Sequence, residues 1–138
     1  MTTEAPAWFP ADAISELDEK LGIRIVDWNP QRLIAQMPVA GNRQPYGILH
    51  GGAVCAMAET VGSFAAALSA GPDRRVVGIE LNASYHLAVS SGEVRAVCQR
   101  VGSDDELPTR TYIIELFDDR DRLTSSARLT CMVLAGRD

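Results

Sequence analysis

The sequence predicts an α+β fold in which an antiparallel sheet wraps one long apolar helix, and three observations carry that prediction. Residues 51–70 form a run rich in alanine and poor in β-branched residues, halted by Gly71-Pro72. Only Glu59, Thr60 and Ser63 interrupt its apolar surface between Ala53 and Leu68, so other structure is expected to cover this helix on nearly every side. Six further runs have the β-branched content and turn punctuation of strands, enough to supply the covering layer.

In chain order, "PADAISELDEKLGIRI" places Pro10 and Asp12 near a helix start and spaces Ile14, Leu17 and Leu21 by three to four, the mark of a short amphipathic helix. After Gly22, "IRIVDW" and "RLIAQMPV" flank the break Asn29-Pro30 and read as a β-hairpin. The loop "AGNRQPYG" then delivers the chain to His50 and the long helix. Beyond it, "RRVVGIELNASYHLAV", "GEVRAVCQRVG", "TRTYIIELF" and "RLTSSARLTCMVLAG" read as four strands, separated by Ser90-Ser91-Gly92, "SDDELP" and "DDRD". There is no internal repeat, linker or low-complexity tract.

With 138 residues, 46% of them apolar, the chain is expected to form one globular domain over residues 1–138 without disulfide or metal. Thirteen basic against eighteen acidic residues give a net charge of −5, which supplies no attraction for nucleic acid or an anionic membrane surface. The sequence also lacks the roughly 18 to 20 uninterrupted apolar residues of a membrane span. "MTTEAPAWFP" lacks the basic start and apolar stretch of a signal peptide, so a cytoplasmic location is expected. Cys55, Cys98 and Cys131 are odd in number and show no CxxC spacing; they read as small core residues of a reducing compartment.

The chemistry concentrates in "YGILHGGAVCAMAETVGS", residues 46–63. Glu59 is a carboxylate expected in an apolar helix, and stranding a charge there costs several kcal/mol unless partners satisfy it or catalysis uses it. His50-Gly51-Gly52 sits at the helix start, where free N–H groups and the positive end of the helix dipole favour negative charge and glycine admits a ligand close to the backbone. Such a place suits the oxyanion formed when an ester or thioester carbonyl is attacked. Gly51 and Glu59 stand eight positions apart, about 12 Å along one helix, so they cannot both touch one carbonyl. If both act on one substrate, the glutamate comes from a second chain paired antiparallel with the first. Ser63, one turn after Glu59, could hold the carboxylate, bind the attacking water or bond back to a helix carbonyl. Gln44 could donate its amide to a substrate carbonyl, help position water or sit solvated in its loop, and Arg110 with Thr109 could meet phosphates, a role for which Arg74 and Arg75 compete.

The order of elements, together with Gln44, "HGG" at 50–52, "AET" at 58–60 and Ser63, resembles the hotdog-fold acyl-CoA thioesterases, in particular the small single-domain aryl-CoA branch. The resemblance runs from about Gly22 to Gly136 and includes "ELNASYHLAVSSGEVRAV". It implies a hotdog domain that pairs into dimers, often into tetramers, with sites between subunits. It implies hydrolysis of an acyl-CoA, favouring aromatic acyl groups, with no cofactor beyond the CoA of the substrate. Gln44 and the Gly51 N–H would polarise the thioester carbonyl and Gly52 would help bind the substrate, while the partner's Glu59 acts as nucleophile or general base with Ser63 in support. His50 would orient the loop or touch the thioester region, and His86 would lie near the acyl pocket and pantetheine arm.

Other readings fare worse. No G-x-S-x-G occurs for a serine hydrolase, and the two histidines, 36 positions apart, form no metal-ligand spacing, so no metal is expected. A hotdog hydratase or dehydratase and a noncatalytic acyl-CoA-binding module remain as alternatives.

Overall fold

The computed structural model describes residues 2–10 and 13–136; Asp12, expected near the first helix start, lies outside them. The chain runs α1 (Glu16–Leu21), β1 (Arg24–Asp27), β2 (Leu33–Pro38), α2 (Gly51–Ala70), β3 (Arg75–Tyr85), β4 (Glu93–Val101), β5 (Thr109–Phe117) and β6 (Leu123–Leu134). The six strands form one sheet in the order β1-β2-β4-β5-β6-β3, and every neighbouring pair is antiparallel. The strands nearest in sequence to α2 thus include one of the two edges, β3.

Local chemistry explains the elements. Ser15 caps α1 and exchanges hydrogen bonds with Asp18, while Gly22 ends the helix in the left-handed region at φ 76°. The β1–β2 hairpin forms as expected: the Asp27 carboxylate accepts from Asn29 N–H and the Asn29 side chain accepts from Gln31 N–H, folding the turn around Pro30. Helix α2 spans residues 51–70, capped at its start by His50.

Leu33, Met37, Met57, Val61, Tyr112, Ile114, Leu116 and Leu129, none of them accessible to solvent, form the centre of the core between α2 and the sheet. Helix and sheet approach closely because Gly62 has no side chain: a Cβ there would fall 2.5 Å from Leu129 Cδ2. Cys98 and Cys131 are core residues, and burial pushes their thiols up to about 12 and about 11.

Three expectations need correction. Helix α2 is not covered on nearly every side: Gly52, Cys55, Ala56, Glu59 and Ser63 form a half-open stripe, because a six-stranded sheet with a free edge wraps only part of a helix. Cys55 belongs to that stripe rather than to the core. The first helix begins at Glu16 behind its Ser15 cap rather than near Pro10, so Ile14, 42% exposed, lies outside it and Leu17 on its face is 55% exposed. By length and composition α2 is also apolar enough to cross a membrane, with a mean hydropathy of 1.4, although its buried residues form the core of this fold.

The carboxylate that is buried against α2 is Asp18, 3% exposed, which accepts from Ser15 N–H and from the Thr60 hydroxyl. This bond ties α1 to the long helix. Thr60→Val leaves Asp18 one donor short and is expected to lower the unfolding free energy by about 1 to 3 kcal/mol, measured by urea denaturation.

Candidate active site

The candidate residues fall into two clusters at opposite ends of β3. At the Tyr85 end, a cavity of about 280 Å³ is lined by Gln44, Gly51, Tyr85, His86, Thr124 and Ser125, among others. The start of α2 is arranged so that a single amide is left over. His50 Nδ1 accepts from Gly52 N–H at 2.7 Å, and the His50 carbonyl accepts from the N–H groups of Ala53 and Val54. Among the described residues no acceptor meets the Gly51 N–H, which therefore remains free at the positive end of the helix dipole.

Gln44 is oriented by its own loop. Its side-chain oxygen accepts from Tyr46 N–H, its backbone N–H donates to Ile48 O, and this leaves the amide nitrogen as the outward donor. His86 pairs Nε2 with the Ser126 hydroxyl at 2.9 Å, while its N–H donates to Thr124 O. Tyr85, which sequence reasoning missed, lies against the helix start: its hydroxyl donates to Gly51 O at 3.2 Å and lies 3.2 Å from Cys55 Sγ. A Cβ at residue 51 would meet the Tyr85 ring at 2.8 Å, so glycine is needed there for packing as well as for ligand access. The Cys55 contact and burial raise the Tyr85 hydroxyl above its ordinary pKa, keeping it a hydrogen-bond donor.

The second cluster lies toward the Arg75 end. Glu59 is half-buried and makes no hydrogen bond or ion pair with other described residues. Its carboxylate occupies the space in front of Gly78, where any side chain would collide with Oε1. An isolated glycine in the strand-like run "VVGIEL" is the signal that points to such a close approach. The register of β3 against β6 slips between Gly78 and Glu80, a bulge beside the carboxylate. Ser63 faces the Cys131 thiol, whose rise through burial is opposed by the Ser63 hydroxyl and reinforced by the Glu59 charge. Ser63 therefore turns to β6, and among the described residues no hydrogen bond joins it to Glu59.

The remaining candidates sit elsewhere. Gly52 has its N–H occupied by His50, and both line a separate groove with Leu17 and Ala56. Arg110 is not at a groove mouth, as expected for a phosphate ligand. It is 4% exposed and donates to the carbonyls of Leu107 at 2.5 Å, Asp105 at 2.9 Å and Thr109 at 3.4 Å. Its two terminal nitrogens are spent on the 104–108 loop while Nε faces the Asp105 carboxylate at 3.8 Å, and Thr109, at the start of β5, serves the same clamp through its carbonyl. Arg74 and Arg75 instead line a larger cavity that includes Ser63.

A free helix-start amide, an outward amide donor and an unpaired carboxylate constitute the parts of an acyl-transfer centre in a helix-wrapping sheet. The profile of the thioesterase superfamily matches residues 46–104. The chain is 39% identical over 135 residues to the proofreading thioesterase EntH of Cronobacter turicensis, covering 97% of this chain and 95% of that protein. It is 39% identical to the 1,4-dihydroxy-2-naphthoyl-CoA hydrolase of Escherichia coli over 117 residues, 83% of each chain. A solved thioesterase from Haemophilus influenzae superposes with a TM-score of 0.84 at 28% identity, covering 97% of this chain and 94% of that one. The chain belongs to the hotdog-fold thioesterase superfamily. Acyl-CoA thioesterase activity follows, and the hydratase and noncatalytic alternatives give way to it.

Gly78→Ala tests the carboxylate cradle. The new methyl displaces the flexible end of Glu59 rather than any backbone, so the thermal midpoint is expected to stay within a few degrees of the parent while kcat/KM for acyl-CoA hydrolysis falls about 100-fold.

Proposed function

We propose that the protein hydrolyses acyl-CoA thioesters in a site shared between two copies of the chain, with an aromatic acyl group as its preferred cargo. The observation that carries this reading is the division of the chemistry along β3: donors at the Tyr85 end, the carboxylate at the Gly78 end. β3 is one of the two edge strands of the sheet, eleven residues long, with Val77, Ile79 and Tyr85 45%, 52% and 57% exposed. A long apolar edge of this kind calls for pairing. Antiparallel pairing of β3 with its copy in a second chain sets each donor cluster opposite the other chain's carboxylate, twice per dimer. The tetramer that the family resemblance implies would join two such dimers, and the chemistry requires only the dimer.

In this arrangement the free Gly51 N–H and the Gln44 amide hold the thioester oxygen, with stabilisation growing as charge develops on it. The partner's Glu59 takes a proton from water as the water oxygen attacks the carbonyl carbon. When the tetrahedral intermediate collapses, the carbon–sulfur bond breaks and the CoA thiolate leaves with a proton returned from the carboxyl group. In the alternative, Glu59 attacks the carbonyl carbon directly, the carbon–sulfur bond breaks and CoA leaves as its thiolate to be protonated by solvent, and water then hydrolyses the resulting acyl–Glu59 anhydride to the free acid and the carboxylate. Solvent oxygen-18 distinguishes the two: label in the enzyme carboxylate after one turnover marks direct attack. The naphthoyl-CoA named for the Escherichia coli relative supports an aromatic acyl group, as do the Trp8, Phe9 and Phe64 rings beside the carboxylate half-site.

Glu59→Ala is expected to lower hydrolysis of benzoyl-CoA by about a thousandfold while CoA-ester binding survives. Mixing Glu59→Ala chains with Gln44→Ala chains tests the shared site directly. Hybrid dimers carry both lesions in one site and none in the other, so activity should return to about a quarter of the parent's. A mixture no more active than its components would place both residues in one chain's site and end this mechanism.

A further inference from the structure

The N-terminal arm has no role in the chemistry above, yet it is fastened in place with care. Thr2 N–H donates to Asp27 Oδ1 at 3.0 Å and Trp28 N–H donates to Thr2 O at 2.7 Å, pinning its beginning to the end of β1. Further along, Phe9 is 9% exposed and meets Trp28 and Phe64 edge-on, with centroids 5.1 Å and 5.4 Å away. Trp28 in turn stacks on Phe64 at 5.9 Å. Between these anchors and α1 the arm presents Trp8, Phe9 and Pro10 as one wall of a cavity of about 720 Å³. The opposite walls are Ser63, Phe64 and Ala67 of α2 and the start of β3. Ser63 is one helical turn beyond Glu59, so the cavity begins beside the carboxylate and extends away from the donor cluster.

Trp8 stands out in this wall. It is 40% exposed, and its near ring neighbour, Phe9 at 5.9 Å, is tilted and leaves much of the indole uncovered. A large ring kept half-open on an anchored arm is poor core packing but a suitable face for a flat ligand. We propose that the arm is the specificity-determining wall of the acyl chamber, and that Trp8 contacts the acyl group and selects planar aromatic acyl groups over straight-chain ones of equal carbon count. This rests on the thioesterase reading of the Glu59 site. A ring–ring contact favours an aromatic ligand on the order of threefold to tenfold over one that only buries area.

The test measures binding and turnover separately. Dissociation constants are determined for two hydrolysis-resistant ketone thioethers of CoA, S-phenacyl-CoA and its straight-chain eight-carbon counterpart, with the full chain and with Trp8→Ala, Trp8→Phe and Ala67→Leu. The parent should prefer the phenacyl compound, Trp8→Ala should erase threefold to tenfold of that preference, and Trp8→Phe should retain most of it. Ala67→Leu, which fills the chamber from the helix side, should weaken both compounds while leaving the thermal midpoint near the parent's. Equal changes for both ligands in Trp8→Ala, or unaltered affinities in Ala67→Leu, overturn the assignment of the arm. Benzoyl-CoA turnover is followed in parallel: its absence while the preference still moves with Trp8 ends the thioesterase reading but leaves the arm's role standing, and intact turnover with an unmoved preference does the reverse.

Discussion

The arrangement depends on a distance fixed by helix geometry. The free amide at Gly51 and the carboxylate of Glu59 are carried by the same rigid helix, eight residues apart, and no side-chain motion closes about 12 Å of helix rise. A loop could bend to bring the two together; α2, whose Met57 and Val61 are buried in the core and whose Gly62 packs on Leu129 of β6, cannot. In the shared site proposed above, a second copy paired antiparallel sets one end of the helix beside the other. The length of β3 suits this purpose, since it runs the same span, with Tyr85 at the donor end and Gly78 beside the acid.

Small residues convert that geometry into working space. Gly62 lets α2 settle onto Leu129, Gly51 admits the Tyr85 ring, and Gly78 leaves room for the Glu59 carboxylate. A methyl group at any of these positions would push helix and strand apart or move a polar group from its place. The half-open stripe on α2 has the same origin. A helix wholly enclosed by the sheet would shut its acid away from solvent, whereas a helix beside a sheet edge keeps Glu59 reachable while Val54, Met57, Val61 and Phe64 remain in the core.

Periodicity and punctuation made the fold legible. The alanine-rich run bounded by His50 and Gly71 is the helix observed, and each of the six strand-like runs contains a strand. The family resemblance, not spacing, groups Gln44, Gly51 and His86 in the sequence, and the fold sets all three along a common cavity. Features that depend on long-range contacts stayed hidden. Arg110 looks like a surface cation in sequence, yet three carbonyls of its own loop draw it inward. Glu59 looks like the buried charge, whereas Asp18, in a segment that reads as a polar helix face, is the carboxylate buried against α2. Burial is decided by what lies opposite, and in one sequence the Thr60–Asp18 partnership, 42 residues apart, has no local signature.

The position of the arm completes the physical picture. The sheet curls around α2 but its two edges, β1 and β3, do not meet. The arm begins on β1 through Thr2 and ends against a cavity whose far side is the start of β3, so it spans the gap between the edges over the second half of the helix. What it covers is the region next to Glu59 that a single sheet would leave open. Helix α2 and β3 fix the reacting groups with core contacts, and changes there disturb chemistry and fold together. The arm holds on through a few hydrogen bonds and one aromatic cluster, so its exposed face can change with little effect on the core, which makes it a suitable place for a thioesterase of this fold to set the acyl group it accepts.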